Sequence, residues 1–211
     1  AINNEEVKAI FCSRGGYGLA RIIDKIDFSP LKKYPKWVVG FSDITALHNA
    51  LNGVGVASIH SIMAKHITLK ADGLENLINM LFGKSVQLEA TANEYNKQGV
   101  VEGELVVGNL SVLYGLRGTP FDLDYTGKIL FIEDLSERLY HIDRMVQNLR
   151  LGGVFGKIKA LVVGQFTDID DDDSFFFFSY GVIAEAVKDY DIPVCFLLLG
   201  LTRKQTIVAY S

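Results

Sequence analysis

Cysteine is scarce in this chain of 211 residues, which contains only Cys12 and Cys195. The two do not form a C-x-x-C pair, so the sequence carries no redox or zinc motif of that type. Each cysteine lies in or beside an apolar run with β-strand character. We therefore interpret both as buried, reduced thiols.

The chain also lacks a basic stripe and a long apolar segment. Its formal net charge is -4 and its basic residues are scattered, which argues against nucleic acid or an anionic membrane as a partner. No apolar run reaches the length of a membrane span. The opening residues, AINNEE, are polar and acidic, unlike a secretory signal. These absences predict a cytoplasmic protein, and the direct entry into a strand suggests a fragment of a longer chain.

A hydrophobic content of 49% is enough for one large domain or two small ones. In the first half, β-like apolar runs alternate with segments of helical spacing. This alternation predicts an α/β fold with a parallel sheet, whose functional loops gather at the carboxyl ends of the strands. The predicted strands are Val7 to Cys12, Trp37 to Val39 and Val56 to Ile59, and the predicted helices are Leu19 to Ile26, Ile44 to Asn52 and Leu74 to Phe82.

The polar stretch 90–100 has the composition of a linker. It divides the chain into predicted domains 1–89 and 101–211. The second domain contains a long helix, Glu137 to Leu151, whose apolar residues recur at three- and four-residue spacing and should pack in a core. Its predicted strands are Glu104 to Val107, Ile129 to Ile132, Ala160 to Val163, Val194 to Leu198 and Thr206 to Tyr210.

The stretch WVVGFSDITALH, from Trp37 to His48, is the most informative. A strand ends at Gly40, and Ser42 directly precedes a predicted helix. A serine on such a turn has the geometry of a nucleophile elbow, with the helix N-terminus facing developing negative charge. The usual Gly-x-Ser-x-Gly pattern is incomplete, because Ile44 replaces the last glycine. On this stretch alone, the alternative is that Ser42 or Asp43 merely caps the helix.

The glycine-rich loop SRGGYG, residues 13–18, follows the first predicted strand and should open into the same crevice as Ser42. One interpretation is a phosphate loop, although neither the dinucleotide nor the P-loop spacing is present. Another is an oxyanion hole, formed by a glycine N–H and the N–H of Asp43. The third is a plain glycine-rich turn.

Acidic residues follow the predicted strand Ile129 to Ile132, which places Glu133 and Asp134 at its carboxyl end. Glu133 is a candidate to orient a catalytic histidine. Asp134 is better explained as a cap for the helix that follows, and a capping role for both residues is the alternative.

A serine nucleophile needs a general base, and the sequence places none of its four histidines convincingly. His60, at the end of a predicted strand, is the best local candidate. His48, His66 and His141 are expected to be surface or core residues.

The acidic run 168–173 lacks the glycine and the distant glutamate of a calcium-binding loop. We interpret it as a solvated loop and expect no metal site.

Five segments, taken together and in this order, resemble the LD-carboxypeptidase family, which includes the microcin C immunity peptidases. The resemblance extends from Val7 to about Gly200. The segments are FCSRGGYG (Phe11 to Gly18), PKWVVGFSDITALH (Pro35 to His48), GNLSVLYGLRGTPF (Gly108 to Phe121), GKILFIEDLSERLYHIDRM (Gly127 to Met145) and VVGQFTD (Val162 to Asp168).

The resemblance implies a Rossmann-like N-terminal domain that carries the nucleophile and a β-rich α/β C-terminal domain that carries a glutamate and a histidine, in a homodimer. It implies hydrolysis of an amide bond next to a free carboxylate, without a metal or organic cofactor. The expected substrates are L,D-linked murein tetrapeptides, which lose their terminal D-Ala, or microcin-type aminoacyl-nucleotides. Arg14 or Arg203 is a candidate to pair with a substrate carboxylate, and Tyr17 is a candidate substrate contact.

Carried over by motif, Ser42 matches the nucleophile and Glu133 matches the triad acid. Gly16 and Asp43 fall where the oxyanion N–H groups are expected. The family's histidine follows a strand near the C-terminus, and Leu201 stands at that position. Because leucine cannot move a proton, the alternative to an enzyme is an inactive binding module of the same fold. The family's opening strand-and-helix block is also absent, so the N-terminal domain is expected to be partial.

Overall fold

The computed structural model of the chain describes residues 1–67, 73–88, 94–169 and 179–196. These residues form two compact units. The first contains the described residues up to 88 together with the segment 116–124, and the second contains the remainder. The side-chain amide of Asn49 donates a hydrogen bond to the carbonyl of Phe121 at 3.2 Å, which ties this segment to the first unit.

The first unit is built on a parallel three-stranded sheet in the order β1-β2-β3. Two valines at the centre of β2, Val38 and Val39, are both buried, as expected for a parallel strand covered on both faces. The strands are β1 (Ala9–Phe11), β2 (Trp37–Gly40) and β3 (Ile59–His60), and the helices are α1 (Ser29–Lys33), α2 (Thr45–Gly53) and α3 (Leu74–Leu81).

Two predicted elements of the first unit differ in the structure. The predicted helix Leu19 to Ile26 consists of two 3₁₀ turns, Leu19–Arg21 and Ile23–Lys25, since a short segment with adjacent β-branched residues is a poor α-helix. The predicted strand Val56 to Ile59 is shorter in the structure, where only Ile59 and His60 pair, as β3. The N–H of Val56 still donates to the carbonyl of Leu51 at 2.9 Å, so this residue belongs to the turn that ends α2.

The core of the first unit packs α3 against β2 and β3. Its hydrophobic residues come from segments far apart in the sequence, so the helix and the sheet stabilise each other by shared burial. The buried members of this cluster are Val39, Ile59, Ile62, Leu77 and Met80.

The second unit is a parallel four-stranded sheet in the order β4-β5-β6-β7. Parallel neighbours require crossover connections, and helices occupy the intervals between the strands. The strands are β4 (Leu105–Asn109), β5 (Ile129–Leu135), β6 (Ala160–Thr167) and β7 (Val194–Phe196), and the helices are α4 (Leu110–Leu116), α5 (Leu139–Leu151) and α6 (Ser179–Val187).

The long helix α5 buries the apolar stripe that its sequence predicts. The buried residues are Leu139, Ile142, Met145, Val146 and Leu149. The α/β class with parallel sheets is thereby confirmed. The predicted strand Thr206 to Tyr210 lies outside the described residues. Among the described helices, none is both long enough and apolar enough to cross a bilayer.

Candidate active site

Ser42 lies at the turn between β2 and α2, in a left-handed backbone conformation with φ of 62°. A non-glycine residue in this region is strained, and such strain is retained where the surrounding structure imposes it. A short 3₁₀ turn, Ser42–Ile44, leads directly into α2. The structure therefore has the strand, sharp turn and helix of a nucleophile elbow at Ser42.

Gly40 makes this turn sterically possible. A Cβ at Gly40 would lie 2.8 Å from Cγ1 of Ile44, a distance that real Cβ contacts do not reach. The turn therefore requires a glycine at position 40, before the serine, because the side chain of Ile44 packs against the backbone there.

The carboxylate of Asp43 points toward the glycine-rich loop. Its Oδ2 accepts a hydrogen bond from the N–H of Leu19 at 3.2 Å, and an added Cβ at Gly16 would lie 3.7 Å from the same oxygen. The sequence left open a capping role for this residue at the helix that follows. The described hydrogen bond instead joins Asp43 to Leu19, the residue that directly follows the loop 13–18, so the end of this loop is held to the Ser42 turn.

Gly15, rather than Gly16, lies directly against Ser42. A Cβ at Gly15 would be 3.1 Å from Cβ and 3.2 Å from Oγ of Ser42. The sequence pointed to a glycine in this loop, but consecutive glycines cannot be distinguished by spacing. Only the folded positions of the two segments identify Gly15 as the glycine at which an added side chain would crowd Ser42.

Arg14 and Tyr17, the candidate substrate contacts, are both exposed. Tyr17 is 82% exposed, and the guanidinium of Arg21 lies 5.8 Å from the centre of its ring. Both side chains on this loop are therefore accessible to a ligand.

Two buried histidines, His48 and His60, lie beside Gly40 at the end of β2. His48 on α2 contacts the carbonyl of Gly40 and the hydroxyl of Ser58. Burial lowers the pKa of His48 to about 4, although the hydrogen bond to Gly40 acts in the opposite direction. Burial, and secondarily the charge of His48, lowers the pKa of His60 to about 3. His60, the best local base candidate by sequence, is therefore a weak base at neutral pH.

In the second unit, Glu133 lies near the carboxyl end of β5, two residues before Leu135, and pairs in register with Asn109 of β4. A bulge between Ile132 and Asp134 interrupts the pairing of β5 with β6 at this point, and such bulges re-aim side chains at functional sites. Burial, with the neighbouring Asp134 charge, raises the pKa of Glu133 to about 8, while a hydrogen bond from Asn109 opposes the rise.

Asp134 is a cap, but not for the helix that follows it. Its Oδ2 accepts from the N–H of Ser111 at 2.8 Å, and its Oδ1 accepts from the Asn109 amide at 2.7 Å. Ser111 lies in the first turn of α4, so Asp134 caps a helix that precedes it in the chain. Asn109 adds a second cap, because its Oδ1 accepts from the N–H of Val112 at 3.2 Å. These bonds connect the ends of β4 and β5 beside Glu133.

His141, on α5, forms a hydrogen bond with Glu137 one turn earlier, with Nδ1 at 2.5 Å from Oε2. Its ring also lies edge-on to Tyr114 at a centroid distance of 6.3 Å. The side chain of His66 and the positions Leu201 and Arg203 lie outside what the structure describes, as does most of the acidic run 168–173. Ser42, Asp43 and Gly16 thus come together in the first unit, and Glu133 belongs to the second.

The fold and this site define an α/β protein with a serine on a strained strand-to-helix turn. The chain belongs to the LD-carboxypeptidase family: residues 1–61 match its N-terminal domain and residues 102–209 match its C-terminal domain. The resemblance noted from the sequence is thereby confirmed.

Two proteins of this kind illustrate the relationship. The "probable murein peptide carboxypeptidase" of Bacillus subtilis (strain 168) is 40% identical over 175 residues, which cover 77% of this chain and 53% of that protein. The crystal structure of muramoyltetrapeptide carboxypeptidase from Oxalobacter formigenes has a TM-score of 0.88 at 30% identity, covering 99% of this chain and 73% of that one.

The fold extends to a more distant structure. The microcin C7 self immunity protein in complex with aspartyl sulfamoyl adenosine has a TM-score of 0.75 at 20% identity, covering 99% of this chain and 73% of that one. At this identity the likeness shows the fold alone. The chain spans 53% and 62% of the lengths of two curated relatives that it matches.

Proposed function

We propose that this chain is the catalytic portion of a serine-type LD-carboxypeptidase that hydrolyses an amide bond next to a free carboxylate. The proposed reaction is release of the terminal D-Ala from an L,D-linked murein tetrapeptide. The observation that carries the proposal is Ser42 at φ of 62° on a strand-to-helix turn, in a chain of the LD-carboxypeptidase family.

In the proposed mechanism, Oγ of Ser42 attacks the scissile carbonyl. The backbone N–H groups of Gly16 and Asp43 stabilise the oxyanion. Collapse of this intermediate breaks the amide bond, and D-Ala leaves with its amine protonated by the base that took the serine proton. Water then hydrolyses the acyl-enzyme, which releases the shortened peptide and restores Ser42. Glu133 orients the base that takes the serine proton. Its pKa of about 8 favours the protonated acid at neutral pH, so a cationic partner is needed to hold it as a carboxylate.

No residue described so far is a strong general base for Ser42. The family resemblance expects a histidine where the sequence has Leu201, and the low pKa values of His48 and His60 make both weak bases. We therefore expect slow turnover in the chain as written. The competing proposal, motivated by Leu201, is a module that binds the same substrates without cutting them.

D-Ala release from an L,D-linked murein tetrapeptide tests the function. The assay compares the chain as written with Leu201→His, and the tetrapeptide with its C-terminal amide, which lacks the free carboxylate. We expect release from the free acid only, and faster release by Leu201→His. Binding of the tetrapeptide without release by either protein would favour the binding module. If the tetrapeptide is neither bound nor hydrolysed, this substrate class is refuted. An aminoacyl sulfamoyl adenosine is then the second compound to test.

Gly15→Ala should impair the same reaction, with Gly18→Ala as its matched control. The added methyl at Gly15 would crowd Ser42 at 3.1 Å, whereas one at Gly18 would meet no atom within 4 Å. Because small displacements of a reacting group are costly, we expect about a tenfold lower kcat for Gly15→Ala. Equal rates for the two variants, measured by D-Ala release, would contradict the close approach of loop and serine.

We also propose a cytoplasmic role in murein recycling or microcin immunity, and assembly as a homodimer. These proposals come from the family resemblance. Size-exclusion chromatography with light scattering tests the dimer, and a monomeric mass at micromolar concentration would exclude it.

A further inference from the structure

His48 is buried on α2, and both of its ring nitrogens are engaged. Nε2 lies 2.9 Å from the carbonyl oxygen of Gly40, and Nδ1 lies 2.8 Å from Oγ of Ser58. A carbonyl can only accept, so Nε2 must carry the proton. Nδ1 must then accept from the hydroxyl of Ser58. The contacts thus determine the tautomer, and Ser58 orients the ring.

The carbonyl of Gly40 receives a second hydrogen bond from the N–H of Ser61, at 3.0 Å. Two donors from different segments, α2 and the residue after β3, therefore hold this peptide group. Gly40 stands two residues before Ser42, whose φ is 62°. A strained residue persists only when its surroundings over-determine its conformation, and the doubly bonded carbonyl is one such restraint.

The chemistry of His48 suits a fixed donor rather than a base. Its Nε2–H donates to the carbonyl of Gly40, and its Nδ1 accepts from the hydroxyl of Ser58. Its low pKa keeps the ring neutral at pH 7, with the same tautomer. The ring of His60 lies at a centroid distance of 5.9 Å from that of His48.

We infer that His48 is a positioning residue, whose hydrogen bond to the Gly40 carbonyl holds Ser42 in the conformation needed for attack. The inference rests on the proposed function for its kinetic consequence. Its structural content, a side-chain donor that restrains the serine turn, does not depend on the substrate.

The experiment uses the full chain in five forms: unchanged, His48→Leu, His48→Gln, Ser58→Ala and the control His141→Gln. Leucine fills similar space without a donor, whereas a glutamine amide can donate at the position of Nε2. His141→Gln is the matched control, because that histidine lies in the second unit and pairs with Glu137. Carbonyl ¹³C and amide NMR shifts of residues 40–43 report on the turn without any substrate.

We expect the shifts of residues 40–43 to change in His48→Leu and to return toward the original values in His48→Gln. The kinetic measurement is made in whichever background, the chain as written or Leu201→His, releases D-Ala. There, His48→Leu should lower kcat by about 10- to 100-fold, with KM within about twofold, and His48→Gln should recover most of the loss. Ser58→Ala should produce an intermediate loss.

Two results would overturn the inference. One is unchanged shifts at residues 40–43 in a folded His48→Leu. The other is a kcat of this variant within about twofold of its background, once normalised to folded protein. If no background releases D-Ala, the proposed function fails, and the NMR comparison alone decides whether His48 holds the turn.

Discussion

Replacing Ser42 by alanine is expected to reduce D-Ala release by at least about 10³-fold, because the substitution removes the proposed nucleophile. Alanine keeps a Cβ at the same left-handed position, so the fold and the binding of the tetrapeptide should be retained. Rates of release, calorimetric binding and thermal unfolding, all measured in the background that turns over, give the comparison.

Ser42→Gly separates the chemical role of this residue from its conformational cost. Glycine adopts φ near 62° without the clash that a Cβ makes, a difference of about 1 kcal/mol. We therefore expect Ser42→Gly to be as inactive as Ser42→Ala but to unfold at a higher temperature. Gain of stability with loss of activity is typical of a strained functional residue.

Ser136 supplies the matched control, since its φ is 57° and it lies in the second unit. Ser136→Ala should retain activity, and Ser136→Gly should gain stability as Ser42→Gly does. More than a tenth of the original release rate in Ser42→Ala would place the nucleophile elsewhere. Equal stability of Ser42→Ala and Ser42→Gly would show that the serine turn is not strained.

Glu133→Gln is expected to stabilise the protein increasingly as the pH rises. Burial raises the pKa of Glu133 from its ordinary value near 4.5 to about 8 in the folded state. Between these values the folded state holds a proton that the unfolded state has released, so Glu133 lowers the free energy of unfolding as the pH rises. Above about pH 8, Glu133 is ionised in both states, so the free energy of unfolding falls no further on its account.

Each pKa unit corresponds to about 1.4 kcal/mol. The stability advantage of Glu133→Gln should therefore grow by on the order of 2 kcal/mol between pH 6 and pH 9. Urea unfolding at both pH values measures it. Glu185→Gln is the control, because Glu185 is 52% exposed and pairs with Lys188 on the surface, where such pairs contribute little. An advantage that does not change with pH would mean that Glu133 is not buried as a protonated acid.

The same substitution should also abolish most D-Ala release, since a neutral amide cannot orient a protonated base as a carboxylate does. Loss of activity together with gain of stability at high pH would link the burial of Glu133 to its proposed role. Full activity in Glu133→Gln would exclude Glu133 from the proposed mechanism. The prediction about pH-dependent stability would not be affected by that result.

Much of the fold follows from local patterns. The alternation of apolar runs and helical spacing predicted the parallel sheet of the first unit, and the long helix α5 buries the stripe that its sequence shows. Where local signals were weak, the prediction was wrong: the segment from Leu19 to Ile26 contains two 3₁₀ turns. The helices α4 and α6 were not predicted, because their apolar sequences lack a clear amphipathic pattern.

By itself, the sequence determined the order of the described strands, the family, and the placement of a serine and an acid near the carboxyl ends of strands. Only the tertiary structure decided that Gly15 faces Ser42, that His48 binds Gly40, and that Asp134 caps an earlier helix. These relationships join residues distant in the chain. The pKa of Glu133 also belongs to this second group, because desolvation depends on everything that packs around a carboxyl group and not on its neighbours in sequence.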